Sequence, residues 1–151
     1  MRTAMLSLMM LVTVVSMPAG AETDVQVDKQ VDNQIDIASF YEVSTEGTST
    51  RLKAGDTGKV IISIKSKNGA HVSDEAPLKI ELSSKQSKLS KEKLTLADSV
   101  SPKKEDPRFE VPFTPTAHGR SSVEAKMTFF ICTEKQCARQ VKNITLPVEV
   151  M

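Results

Sequence analysis

From Val123 to Ile131 every second residue is apolar: Val123, Ala125, Met127, Phe129 and Ile131 stand on one parity, with Glu124, Lys126 and Thr128 between them. Side chains of an extended chain point to alternate faces, so this run makes a strand with one face in a core. Wound into a helix it would scatter its apolar groups around the surface. The same period recurs in Val60-Ile62-Ile64, Leu78-Ile80-Leu82, Phe109-Val111-Phe113 and Ile144-Leu146-Val148-Val150. A first candidate strand puts Ile37, Ser39, Tyr41 and Val43 on one face and Phe40 on the other. Turn signals separate the runs at Lys53-Ala54-Gly55-Asp56, Lys67-Asn68-Gly69 and Ala117-His118-Gly119. Asn-Gly in particular takes the positive backbone angles of a tight turn.

Pro112 cannot donate to a ladder, which places the Phe109–Phe113 strand at a sheet edge or a bulge. Ser83 to Lys93, rich in Ser and Lys, is expected to be a solvated loop leading into a short strand, with Leu89, Leu94 and Leu96 as weak anchors. The pattern predicts an all-β chain, an immunoglobulin-like β-sandwich of about seven to nine strands, over residues 37–151. It lacks the core Trp of immunoglobulin domains, and its two cysteines stand too close together to bridge two sheets.

The amino end reads as an address. Arg2 precedes an apolar run from Ala4 to Val15, Pro18 interrupts it, and Ala19-Gly20-Ala21 has the small-x-small form of a cleavage site, so residues 1–21 are expected to be a signal peptide. No Cys follows the run, and no lipoprotein anchor is expected. Residues 22–36 (ETDVQVDKQVDNQID) are polar with isolated Val and Ile, the composition of a flexible leader. The expected location is periplasmic or secreted after cleavage near Ala21. Without Arg2 the 20 basic residues fall to 19, equal to the 19 acidic ones. This balance excludes the basic excess of a nucleic-acid binder. No later apolar run approaches the roughly 20 residues that span a bilayer, so the mature chain is not expected to cross a membrane.

Export matters for the two cysteines, because outside the cytosol a pair can stay oxidised. Cys132-Thr-Glu-Lys-Gln-Cys137 lies between the two strongest strands, which makes it the loop of a hairpin. Residues facing each other there stand about 4.5–5.5 Å apart, within disulfide reach. Three readings stay open. One is a structural staple, worth only about 2 kcal/mol for so short a ring. Another is a redox-active dithiol, exposed at a tip, with Lys135, Arg139 and Lys142 nearby to favour a thiolate and Glu134 opposing them. The last is a metal site completed by His71 and His118, although the spacing fits no finger pattern. His71 is otherwise a turn histidine bonded to nearby backbone, or a proton-handling group near the thiols; His118 is a turn residue. Phe130, on the cysteine side of its strand, is placed to shield the pair. The sequence shows no Gly-rich phosphate loop, nucleophile elbow or internal repeat, and no cofactor and no metal are expected.

In order along the chain, Leu52-Lys53-Ala54-Gly55-Asp56, Asn68-Gly69-Ala70-His71-Val72, Glu75-Ala76-Pro77-Leu78-Lys79-Ile80, Phe109-Glu110-Val111-Pro112-Phe113, Phe129-Phe130-Ile131-Cys132 with Cys137, and Ile144-Thr145-Leu146-Pro147-Val148 resemble motifs of one family. It is the amino-terminal periplasmic domain of the thiol:disulfide interchange protein DsbD, together with stand-alone proteins that share it. The resemblance implies an immunoglobulin-like sandwich whose Cys132 and Cys137 are the exchanging pair of a protein-disulfide reductase component. It implies as partners periplasmic thioredoxin-like oxidoreductases and a membrane electron-transfer protein, here expected to be a separate polypeptide. The spacing Cys-x₄-Cys is one residue shorter than is typical of that family. A different class of function stays open beside it: a non-catalytic binding or chaperone-like module with a structural hairpin disulfide.

Overall fold

The computed structural model describes residues 36–151; the expected signal peptide (1–21) and all of the expected leader except Asp36 lie outside the described residues. The described chain is all-β, built as two sheets around one core. The smaller sheet holds β1 (Tyr41–Ser44), β3 (Gly58–Ser66), β8 (Arg108–Pro115) and β6 (Ser87–Leu89), in the order β1-β3-β8-β6. The larger runs β2 (Arg51–Leu52), β10 (Cys137–Val150), β9 (Gly119–Cys132), β5 (Lys79–Ser83) and β7 (Lys93–Thr95), with β4 (His71–Val72) also on β9. Pairings are antiparallel except β2 on β10. Among the described residues the strands number ten rather than seven to nine. The excess lies in pieces of two or three residues, too short to show a period of two.

Inward-facing residues of both sheets make one cluster: Val60, Ile62, Ile64, Phe109, Val111 and Phe113 from one side, and Ile80, Leu82, Val123, Met127, Phe129 and Ile131 from the other. Their parity is the one the alternation predicts. Every buried aliphatic or aromatic group of this size contributes about 1.5–3 kcal/mol, and β3 adds more because both of its faces are covered. Ile61 and Ser63 are buried as well, since the segment after β1 folds over them. Thr48 Oγ1 accepts from the Ile61 amide at 3.0 Å and donates to its carbonyl at 3.1 Å.

Four expectations are corrected. Residues Ile37–Phe40 form a 3-10 turn, not the start of a strand. The Asp36 carboxylate accepts from the Ala38 amide at 3.1 Å, and the Asp36 carbonyl accepts from the Ser39 amide at 2.9 Å. The loop expected from Ser83 to Lys93 carries a strand of its own, β6, paired to β8 through Ser87, Lys88 and Leu89. Strand β8 is not at an edge, because it lies between β3 and β6. Its ladder with β6 covers only Phe113–Pro115, however, so Pro112 sits just beyond it, where a missing donor costs nothing on that side. Finally, β10 begins at Cys137, seven residues before Ile144, where its apolar period starts.

The Asn-Gly turn is present, with Asn68 at φ 54° and Gly69 at φ 76° and a 3.0 Å bond from the Ala70 amide to the Lys67 carbonyl. It does not close a hairpin. It carries the chain from β3 in one sheet to β4 in the other, and so brings His71 to the end of β9.

Candidate functional site

Strands β9 and β10 pair over their full fourteen residues, from Gly119↔Val150 at one end to Cys132↔Cys137 at the other. The four residues between the cysteines form a self-contained loop. The Thr133 amide donates to the Gln136 carbonyl at 2.8 Å, and Thr133 Oγ1 accepts from the amides of Lys135 and Gln136 at 3.3 Å. Cys132 and Cys137 are joined by a disulfide, with Cα atoms 4.0 Å apart. Both belong to the outward parity of the sheet, because Ile131, beside Cys132, is in the core.

Coverage separates the two. Cys132 is 4% exposed, whereas Cys137 is exposed. Cys132 has a strand on each side, β10 and β4, while Cys137 lies on a strand whose outer edge is met by β2 only at Glu149 and Val150. Phe130 shares the cysteine face and is half-buried. Ser73 continues the line of β4 and its amide donates to the Phe130 carbonyl at 2.9 Å.

The ladder also sorts the cations. Arg139 pairs with Phe130 and shares the parity of Cys137. Lys142 pairs with the core residue Met127 and so turns to the other face, where its Nζ lies 5.7 Å from the centre of the Tyr41 ring. It is not a thiolate partner; Lys135 and Arg139 remain near the pair. Carboxylates held below their ordinary range belong to ion pairs elsewhere: Glu42 by Lys67, Glu81 by Lys79, Asp98 by Lys91 and the Thr95 amide, and Glu110 by Lys59 and then Arg108.

The two histidines separate just as clearly. His71 is directly opposite Cys132 in the β4–β9 ladder. His118 precedes Gly119 at the far end of β9, about 40 Å along a strand of this length. A Cys₂His₂ set is therefore excluded by distance. A place for His71 near the thiols was one of the readings the sequence left open, but the register that sets it opposite Cys132 was not legible, because the two are far apart in the chain. A cleft of about 600 Å³ lined by Ser84, Lys85, Arg120 and Ser122 is at the end of β9 remote from the cysteines. Among the described residues no helix is long and apolar enough to cross a membrane.

No family model matches the chain, and no curated protein matches it. Among solved structures, the chain is similar to the solution NMR structure of a lipoprotein from Bacteroides thetaiotaomicron. The identity is 12%, over 72% of this chain and 78% of that one, with a TM-score of 0.45.

Proposed function

We propose that this chain exchanges disulfides with partner proteins through Cys132 and Cys137. One observation carries the reading. The bond joins two residues that a fourteen-residue ladder already holds opposite each other, and it leaves one of them open to solvent. A short ring closed where the strands are already paired contributes little stability, about 2 kcal/mol on chain-entropy grounds. An exposed sulfur at a hairpin end is what an attacking thiolate needs.

The unequal cover gives the exchange a direction. A partner thiolate attacks Sγ of Cys137, the bond between the sulfurs breaks, and its electron pair leaves on Sγ of Cys132. The partner's second thiol then attacks its own sulfur in the mixed disulfide and releases Cys137 as a thiolate. The partner is oxidised by two electrons and this chain is left as a dithiol. Lys135 and Arg139 favour the thiolate form at the exposed position. Partners of thioredoxin-like type in the periplasm, and a membrane electron-transfer protein, belong to the same proposal. They are supported by the resemblance of the ordered motifs to those of the DsbD amino-terminal domain.

The burial of Cys132 favours a second reading, in which the bond only fixes the hairpin end of a binding module. Equilibration with glutathione or dithiothreitol separates the two. Exchange predicts a reduction potential above about −300 mV and reduction within minutes; a lower potential with slow reduction is the mark of an inert structural bond. Exchange also predicts an asymmetry. Cys132→Ser, which leaves the exposed Cys137, should trap mixed disulfides roughly tenfold faster than Cys137→Ser, which leaves the buried sulfur.

A further inference from the structure

Cys137, Cys132 and His71 form one row across β10, β9 and β4. Residues directly opposite in an antiparallel ladder share a face, with Cβ atoms about 4.5–5.5 Å apart. His71 therefore flanks the buried cysteine on the side away from its disulfide partner. The preceding turn does not engage it: that turn is closed by backbone, and Asn68 Nδ2 donates to the Ser39 carbonyl at 3.1 Å. The imidazole is half-buried and borders a cleft of about 530 Å³ lined by Asp74, Lys103, Lys104, Glu105 and Asp106. Strand β4 is held against β9 and the cleft by the Ser73 amide, and by the Val72 amide, which donates to the Glu105 carbonyl at 3.3 Å.

We infer that His71 hands a proton to and from Sγ of Cys132 during exchange. The inference rests on the exchange reading. In that reading Cys132 is the leaving sulfur, and a thiolate formed on a residue 4% exposed is poorly solvated. Of the side chains near it, an imidazole is the kind that gains and loses a proton in the neutral range. When the partner thiolate attacks Cys137, the electron pair goes to Cys132 Sγ and the imidazolium proton follows it, leaving a thiol and neutral His71. In the reverse direction neutral His71 takes the Cys132 proton. The thiolate so formed attacks Sγ of Cys137 and expels the partner as a thiolate. The charges around the ring are mixed. Asp74 follows β4; Lys103, Lys104, Glu105 and Asp106 come from the connection into β8; Glu134, Lys135 and Arg139 come from the hairpin. Asp106 is already engaged by the Ser66 amide at 2.8 Å.

The test is the rate of reduction of the full chain by dithiothreitol from pH 5 to 9, divided at each pH by the thiolate fraction of the reagent. For the wild-type protein this corrected rate should rise as pH falls through the imidazole range. In His71→Gln and His71→Asn it should be flat, meeting the wild-type rate at high pH and falling roughly tenfold or more below it at low pH. His118→Gln, remote from the pair, should keep the wild-type profile. A flat wild-type profile, or His71 variants that retain its slope, would overturn the role of His71 while leaving exchange intact. Wild-type protein that resists reduction at every pH would overturn the exchange reading and this inference together.

Discussion

Buried residues on the inner faces have one job, and the penalties for removing them follow from volume. Phe129 is 0% exposed and meets the Tyr41 ring edge-on, with centroids 5.2 Å apart and planes at 89°. Phe129→Ala leaves a cavity in the middle of the larger sheet, and about 3–5 kcal/mol of stability should be lost in denaturant titration. The cysteines are expected to behave oppositely. Replacing both with Ser removes a ring of six residues, and the unfolding free energy should fall by only about 2 kcal/mol. A loss near that of Phe129→Ala would show the bond to be a principal support of the fold. Gly58 is a third case, where β3 passes Phe113 and Leu52. A Cβ there would stand 2.9 Å from the Phe113 ring and 2.5 Å from Leu52 Cδ1. Gly58→Ala should therefore cost about 1–3 kcal/mol through overpacking rather than through backbone conformation. At this scale the sequence was most legible. The parity of Phe129, Phe113 and Cys132 follows from counting by two, whereas the closeness of Gly58 to Phe113 depends on a pairing that counting does not reveal.

Elements were legible in proportion to how much of their stability comes from their own apolar face. Strands β5 and β8, and the Val60–Ile64 and Val123–Ile131 stretches of β3 and β9, show the period because their inward positions there are apolar. The first half of β10 does not. Its inward residues include Gln140 and Lys142, which meet the core residue Tyr41 through polar contacts: the Tyr41 hydroxyl donates to Gln140 Oε1 at 3.0 Å, and Lys142 Nζ stands 5.7 Å from the centre of its ring. The segment is extended because β9 supplies its partner backbone, not because its own sequence demands it. The 3-10 turn Leu96–Asp98 is a local device of the same kind. Asp98 accepts from the Thr95 amide at 2.8 Å and pairs with Lys91. Asp98→Ala should loosen the turn after β7 at a cost of about 1 kcal/mol, read as a shifted denaturant midpoint.

At the scale of the molecule, the carboxylates with depressed pKa values set the response to acid. Glu42, Glu81 and Glu110 lie below their ordinary 4.5, and Asp98 below its ordinary 3.8, each chiefly through a lysine hydrogen bond. A group whose folded pKa is depressed contributes its stability in full above the unfolded pKa and loses it as pH falls through the folded value. The denaturant midpoint should therefore be level near neutrality and decline on acidification below the ordinary carboxylate range. The decline should be shallow, because these pairs are exposed and screened by salt. A midpoint that rose as the pH fell would contradict the assignment.

The sequence by itself determined that this is an all-β chain, which residues face its core, and that Cys132 and Cys137 meet at the end of a hairpin. All three follow from the two-residue period of an extended backbone and from short-range turn chemistry, which act between neighbours in the chain. Only the tertiary structure decided which sheet each strand joins, that Lys142 turns away from the cysteines while His71 comes beside them, and that one sulfur is covered and the other open. Those outcomes depend on pairings between distant segments, whose partners are chosen by the packing of the whole and leave no periodic trace in the segments themselves.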